Sequence, residues 1–182
     1  MNIFTRPRLI GLVLAALIAV IDQWSKWYVT GPLGINALGD TMDLLPFFDL
    51  TYTRNYGVSL GMLEATSMEM RWVLVLGTSL VALVVLVWMM RERLMDDIVG
   101  LALILGGAIG NIRDRLELGY VVDFADFHLT IAGYFVRPFL IFNVADAAIT
   151  IGVVVILARA LFMSEKDESN DASGAEPDAL EN

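Results

Sequence analysis

The chain has 182 residues, of which 57% are hydrophobic and only 18% are charged, and its mean hydropathy is +0.67. Soluble domains carry about a quarter charged residues, so this composition excludes an ordinary soluble domain and indicates a membrane protein. Cysteine is absent and histidine occurs once, which excludes disulfides and thiolate or two-histidine metal sites, and the few basic residues are too scattered for a nucleic-acid-binding surface.

Four apolar segments are long enough to cross a bilayer as helices, which takes about 20 residues. The predicted spans cover approximately residues 9–28, 69–90, 97–116 and 137–162. A cytoplasmic N-terminus satisfies the positive-inside rule in part. It puts six of the twelve basic residues inside, namely Arg6, Arg8, Arg91, Arg93, Arg159 and Lys166. We therefore expect a multi-pass protein with both chain ends in the cytoplasm and two larger segments outside.

The two outer segments differ in composition. The first has turn-forming glycine and proline and then FFDLTYT, whose alternation and β-rich composition predict a short strand or two. The second, GYVVDFADFHLTIAGYFVR, is amphipathic and aromatic, and we expect it to lie at the membrane interface.

The net charge of −9 belongs mostly to the C-terminal tail. Residues 164–182 contain seven acids, one lysine and no aromatic residue. Such a stretch buries too little apolar surface to order itself. We predict a membrane domain over residues 1–163 and a disordered acidic tail over 164–182.

Polar side chains cluster at the outer ends of the spans, although a carboxylate at mid-membrane costs at least ~2.5–3.5 kcal/mol. The cluster contains Asp22, Lys26, Asn111, Asp114, Arg115, Asp123, Asn143 and Asp146. Asp22 and Lys26 are four residues apart, which favours a structural ion pair on one helix face. Asp146 lies in an otherwise apolar span, which favours a functional role, and Asn143 lies three residues before it.

Paired carboxylates suggest a specific chemistry for this cluster. Two carboxyl groups in a partly desolvated site share a proton, so one can accept a proton from water while the other donates one to a carbonyl oxygen. That is the chemistry of an aspartic protease. Asp123 and Asp146 are the candidates, and the residues alone leave Asp22 and Asp114 open as alternatives.

Serine chemistry is a weaker interpretation. GVSLG at residues 57–61 matches the GxSxG nucleophile elbow, but it lies in a loop between spans rather than in a strand–turn–helix. A serine–lysine pair of Ser25 or Ser59 with Lys26 is a further alternative. Neither interpretation explains Asp146.

Two interpretations from other classes stay open at this point. A small proton-coupled membrane transporter would carry ionisable groups along a path across the membrane, whereas the second span has none after Arg71. A structural subunit would use the polar cluster only to hold helices together.

Five motifs occur in order along the chain: IDQWSK, TRNYGVSLGML, GGAIGNIRDRL, GYVVDFADF and FNVADAAI. They resemble the signature blocks of the bacterial lipoprotein signal peptidases, also called signal peptidase II, over about residues 8 to 162. The resemblance implies an all-α membrane fold of four transmembrane helices, with a small periplasmic β-rich cradle and an interfacial amphipathic helix.

The resemblance also implies an activity. It implies an aspartic endopeptidase of the bacterial inner membrane that needs no cofactor and removes the signal peptide from prolipoproteins. Cleavage occurs just before the lipobox cysteine, after that cysteine has received a diacylglyceryl group. Membrane lipids and globomycin-type inhibitors are the further implied partners.

The same resemblance implies roles for individual residues. Asp123 and Asp146 match the family's catalytic pair, in a site near the periplasmic face. Asp22, Lys26 and Asp114 match polar positions that hold the site together. The residues implied to bind substrate or support the pair are Asn55, Gly57, Asn111, Arg115 and Asn143.

Overall fold

Residues 4–57, 68–131 and 134–173 are described by the computed structural model. The helices are α1 (Arg6–Thr30), α2 (Met68–Arg91), α3 (Met95–Glu117) and α4 (Val144–Ser173). The strands are β1 (Thr41–Leu45), β2 (Phe48–Asn55), β3 (Val121–Phe127), β4 (Leu129–Ile131) and β5 (Tyr134–Val136). By length and composition all four helices can cross a membrane, with Val144–Leu161 as the apolar part of α4. The four predicted spans are confirmed.

Helix α3 lies at the centre of the bundle and packs against α1, α2 and α4. Half of its apolar window is buried, whereas the corresponding fraction is 22% or less in each of the other helices. Met89 of α2 and Ile98 and Leu101 of α3 are fully buried between them. The outer helices keep apolar side chains on their remaining surface, as a lipid environment allows.

Close packing around α3 depends on two adjacent glycines. A Cβ on Gly106 would lie 2.5 Å from the backbone oxygen of Ala15 in α1, and one on Gly107 would lie 2.4 Å from that of Ala145 in α4. Small residues let helix backbones approach closely inside membranes, where packing supplies much of the association energy. The two glycines therefore set the spacing of α3 to both neighbours.

We expect Gly107→Ala to lower the free energy of unfolding by about 1–3 kcal/mol, because the added methyl overpacks a backbone contact. Gly77→Ala in α2 is the matched control, since nothing lies within 4 Å of a Cβ there and alanine is the better helix former. Thermal unfolding in detergent micelles measures both. Equal effects of the two substitutions would contradict the packing argument.

A three-stranded antiparallel sheet, in the order β1–β2–β3, contacts the helix ends through β3, which packs on both α1 and α3. In β3, six of the seven residues are buried, so both faces of the strand are covered. Thr53 of β2 lies opposite Asp123, and Asn55 lies opposite Val121. The sheet thus brings the end of β2 beside Asp123.

The described part of the second outer segment forms strands and not the interfacial helix that the resemblance implies. Residues 121–127 form β3, and β4 pairs with β5 in an antiparallel ladder. Pairing of β3 with β2 satisfies its backbone, and burial of both faces accounts for its five apolar residues. The described parts of the two outer segments contain no α-helix, and residues 58–67 lie outside the described residues.

The start of the fourth span differs from the prediction, whereas its apolar part ends at Leu161, as predicted to within one residue. Helix α4 begins at Val144 rather than near residue 137, because Phe142 pairs with Ala125 in an extended bridge and Asn143 caps the helix. At the other end α4 continues to Ser173, so residues 164–173 of the predicted disordered tail are helical. Glutamate, lysine and alanine there are good helix formers that extend an established helix. Residues 174–182 lie outside the described residues.

Candidate active site

Asn143 joins the two candidate carboxylates. Its Nδ2 donates to Asp123 Oδ1 at 2.6 Å, and its backbone N–H donates to Asp146 Oδ2 at 3.4 Å. Asp123 comes from β3 and is 1% exposed, while Asp146 lies half-buried in the first turn of α4. Two acids 23 positions apart in the sequence therefore share one hydrogen-bonding neighbour.

Asn143 and Asp146 form a reciprocal cap at the start of α4. The Oδ1 of Asn143 accepts from the backbone N–H of Asp146 at 2.9 Å, while Asp146 Oδ2 accepts from the backbone N–H of Asn143. Each side chain satisfies a backbone N–H that the helix leaves unbonded, as in a capping box. The Asp146 carboxylate is consequently fixed relative to the helix terminus.

Asn111 of α3 holds the other oxygen of Asp146. Its Nδ2 donates to Asp146 Oδ1 at 2.8 Å, and its Oδ1 accepts from Lys26 Nζ at 3.3 Å. Because an ammonium group only donates, the oxygen of the Asn111 amide must face Lys26 and its nitrogen must face Asp146. The lysine thereby sets the orientation of a group that contacts the carboxylate.

Lys26 is the centre of a buried ionic network. Its Nζ lies 2.8 Å from Asp22 Oδ2 and 2.8 Å from Asp114 Oδ2, and all three residues are at most 4% exposed. Gln23 Nε2 donates to Asp114 Oδ1 at 2.7 Å. A Cβ on Gly110 would lie 2.4 Å from Asp22 Oδ2, so only glycine at this position leaves room for the pair.

The two acids of this network reach the elements that carry the candidate carboxylates. Asp22 Oδ1 accepts from the backbone N–H of Ala145 at 3.0 Å, in the first turn of α4. Asp114 Oδ2 accepts from the backbone N–H of Val122 at 3.1 Å, one residue before Asp123. The network therefore fixes both elements to α1 and α3.

The pKa of Asp123 is raised to about 6, mainly because burial disfavours its charged form and secondly because the Asp146 charge repels it. Hydrogen bonds from Asn55 and Asn143 and the positive charge of Lys26 oppose this rise. A pKa near neutrality lets one carboxyl hold a proton while its neighbour is ionised, which acid–base chemistry requires.

The end of β2 and Arg115 lie beside this pair. Asn55 Oδ1 accepts from the backbone N–H of Gly57 at 2.8 Å, and Gly57 has a φ of +81° that favours glycine. A Cβ on Gly57 would lie 3.4 Å from Arg115 Nη2. The Nε of Arg115 has no hydrogen-bond partner among the described residues, so this guanidinium retains donor capacity toward a ligand.

Two cavities flank the candidate pair, and a short rim segment, residues 137–141, separates them. The polar cleft, of about 490 Å³, is lined by Thr53, Asn55, Asp123 and the rim segment. The apolar cavity, of about 430 Å³, reaches Asp146 between Phe127, Phe142 and Ile151. Phe139 and Leu140 of the rim segment line both.

The serine–lysine interpretation finds no support at Ser25, whose hydroxyl donates to the backbone oxygen of Asp22 at 2.7 Å, while Lys26 binds Asp22, Asn111 and Asp114. Ser59 lies outside the described residues.

Among the described residues, no group of three or more histidine or acidic side chains could hold a metal ion.

Sequence reasoning missed three residues near the site. Gln23 shares with Asp22 the signal of a polar side chain in an apolar span. Asp126 stands three residues after Asp123 in VVDFADF and forms an ion pair with Arg137 at 2.8 Å. No sequence pattern indicates that pair, because β3 and the rim segment meet only in the folded chain.

Comparisons with known proteins agree with this architecture. Residues 14–162 match the family model described as signal peptidase (SPase) II. The lipoprotein signal peptidase of Sphingopyxis alaskensis is 51% identical over 162 residues, which cover 89% of this chain and 91% of the relative. That of Rhizorhabdus wittichii is 49% identical over 158 residues, covering 87% and 89%.

Solved structures show the same fold. A bacterial membrane enzyme solved by the in meso method at 2.3 Å resolution superposes with a TM-score of 0.68 at 26% identity, over 94% of each chain. A second, at 1.9 Å resolution, has a TM-score of 0.68 at 30% identity over 83% of this chain and 92% of its own. The chain therefore belongs to the signal peptidase II family of aspartic-type lipoprotein signal peptidases and is a multi-pass membrane enzyme.

Proposed function

We propose that Asp123 and Asp146 are the catalytic pair of this signal peptidase II. In this proposal the enzyme removes the signal peptide from prolipoproteins, cleaving just before a lipobox cysteine that carries a diacylglyceryl group. One observation carries the proposal: Asn143 donates a hydrogen bond to each of the two carboxylates, and the Asp123 carboxylate is deeply buried. The family membership gives the transporter interpretation no support.

The proposed reaction proceeds through the shared proton. Ionised Asp146 accepts a proton from water as the water oxygen attacks the scissile carbonyl carbon, and protonated Asp123 donates its proton to the carbonyl oxygen. As the tetrahedral intermediate collapses, the C–N bond breaks and the proton on Asp146 passes to the leaving nitrogen. One hydroxyl of the intermediate returns a proton to Asp123, which restores the starting state.

The surrounding residues have supporting roles in this proposal. Asn111 and Asn143 orient the carboxylates, and the network of Lys26, Asp22 and Asp114 holds the elements that carry them. The residues that contact the substrate backbone or lipid are Asn55, Gly57 and Arg115. The polar cleft would accept the extended peptide, the apolar cavity would accept acyl chains, and a globomycin-type inhibitor would compete for the cleft.

We place the enzyme in the bacterial inner membrane, with both chain ends in the cytoplasm and the site near the periplasmic face. Arg8 donates to the backbone oxygens of Arg91 and Glu92, so basic residues gather at the end of the bundle opposite the site. Basic residues at that end favour its cytoplasmic placement.

A gel-shift assay tests the proposal directly. Purified enzyme should convert a diacylglyceryl-modified precursor to a shorter product and leave the unmodified precursor largely uncut. Mass spectrometry of the product should place its new N-terminus at the modified cysteine. A purified, folded enzyme that leaves the modified precursor intact would contradict the proposal.

We expect kcat/KM to fall tenfold per pH unit at high pH, with the transition within about one unit of 6, because Asp123 must carry a proton to donate it. The raised pKa means that the proton is held below this value and lost above it. This fall in kcat/KM is measured from initial rates at substrate concentrations far below KM, in a pH series on both sides of the transition. A flat profile across the transition would contradict the assignment of Asp123 as the acid.

A further inference from the structure

The rim segment is anchored at both ends to β3, the strand that carries Asp123. At one end, Arg137 Nη2 donates to Asp126 Oδ2 at 2.8 Å. At the other end, the backbone of Phe142 both donates to and accepts from Ala125, at 3.1 and 2.8 Å. The position of the rim relative to Asp123 is therefore set by two contacts to the same strand.

Asp126, the partner of Arg137, is itself held in a fixed position. It is 0% exposed, and its Oδ2 also accepts from Thr51 Oγ1 at 3.1 Å. The Arg137 side chain, in contrast, is 50% exposed and lines the polar cleft together with Asp123. A buried acid thus holds a partly exposed cation at the wall of the cleft.

Arg137 dominates the charge that this cleft presents to a substrate. The other charged residue in its lining is Asp123, which carries a proton in the proposed reaction. A guanidinium discriminates strongly by charge and geometry, since it binds carboxylates through paired N–H groups and repels ammonium groups.

A substrate whose scissile bond reaches Asp123 must lay the neighbouring residues along this cleft, because an extended chain advances only about 3.3 Å per residue. Signal peptides are apolar, with small residues before the cleavage site. The charged side chains that Arg137 can meet therefore belong to the mature side, after the modified cysteine.

We propose that Arg137 is a specificity-determining residue, which favours precursors with an acidic side chain directly after the modified cysteine and disfavours those with a basic one. This inference rests on the proposed function, since it assumes that Asp123 acts on the scissile bond. Asp126 balances part of the arginine charge, so the selectivity is moderate, roughly two- to tenfold between an acidic and a basic side chain.

The test uses three modified precursors that differ only in that residue, with aspartate, asparagine or lysine. The measured quantity is the ratio of kcat/KM for the aspartate precursor to kcat/KM for the lysine precursor. In the unaltered enzyme this ratio should exceed one and should fall as salt is added, because screening weakens charge interactions at an exposed site.

Two substitutions at the same position and one elsewhere sharpen the test. Arg137→Gln should bring the ratio close to one, whereas Arg137→Lys should keep it above one. Arg113→Gln is the matched control: it removes the same charge from an exposed pair with Glu117, outside the cleft, and should leave the ratio unchanged.

The outcomes separate this inference from the proposed function. A salt-independent ratio near one in the unaltered enzyme, or an unchanged ratio in Arg137→Gln, would overturn the role of Arg137 while peptidase activity stands. Equal slowing of all three precursors by Arg137→Gln would indicate only a structural role and would also overturn it. Failure to cut even the asparagine precursor would instead refute the proposed function.

Discussion

Asp123→Asn and Asp146→Asn are each expected to lower kcat/KM on the modified precursor by about 10²–10⁴-fold or more, because each removes a group that transfers a proton in the proposed reaction. Asp43→Asn is the matched control, an exposed acid of β1 that lines neither cavity, and should leave the rate within about twofold. Retention of most activity by a well-folded Asp123 or Asp146 variant would refute the assignment.

The loss of activity in Asp123→Asn should not come from unfolding, because this variant is expected to be at least as stable as the unaltered enzyme at neutral pH. Burial and the Asp146 charge raise the folded-state pKa to about 6, above its ordinary value. Protonated Asp123 therefore contributes stability that is complete below the ordinary pKa and lost as pH rises through about 6.

Asparagine avoids this loss, which amounts to at most about 3 kcal/mol at neutral pH. It also keeps an oxygen that can accept from Asn143. Thermal unfolding across a pH series should show the advantage at neutral pH and its disappearance in acid. A variant less stable at every pH would contradict this account.

Lys26→Met is expected to lower the free energy of unfolding by about 3–5 kcal/mol and to reduce activity strongly, because it leaves Asp22 and Asp114 buried without their cation. It also removes the donor that orients the amide of Asn111. For a chain of this size such a loss lowers the unfolding temperature by about 10 °C.

Arg113→Met provides the control for this second substitution. It deletes an exposed cation whose pair with Glu117 lies on one helix face, and such pairs contribute less than about 1 kcal/mol. Thermal unfolding of both variants in the same detergent gives the comparison. A Lys26→Met enzyme as stable as Arg113→Met would show that the buried network does not hold the bundle together.

The sequence predicted the four spans well because hydropathy depends on composition, and composition needs no knowledge of long-range contacts. It misplaced the start of α4, since Phe142 is apolar and fits a span, yet its backbone pairs with Ala125 from a different segment. It also missed β3 as a strand buried on both faces, because neighbouring apolar residues and two buried acids interrupt the alternation that marks a half-buried strand.

The candidate site was predictable only in part. Asp146 was conspicuous because a carboxylate in an apolar span carries a high energetic cost. Asp123 follows a span in an outer segment, where an acid has no such cost, so only the resemblance to a family selected it over Asp22 and Asp114. The contacts of Gln23, Asp126 and Arg137 depend on how separate segments meet, which local patterns do not contain.

The reciprocal cap of Asn143 and Asp146 has a consequence for how the entrance can vary. The cap fixes the Asp146 carboxylate relative to the first turn of α4. Asp22 of α1 and Asn111 of α3 hold that turn in place. None of these contacts involves residues 137–141. The length and sequence of this rim segment can therefore change without displacing Asp146. Substrate preference and hydrolytic chemistry would then be free to evolve on separate parts of the chain.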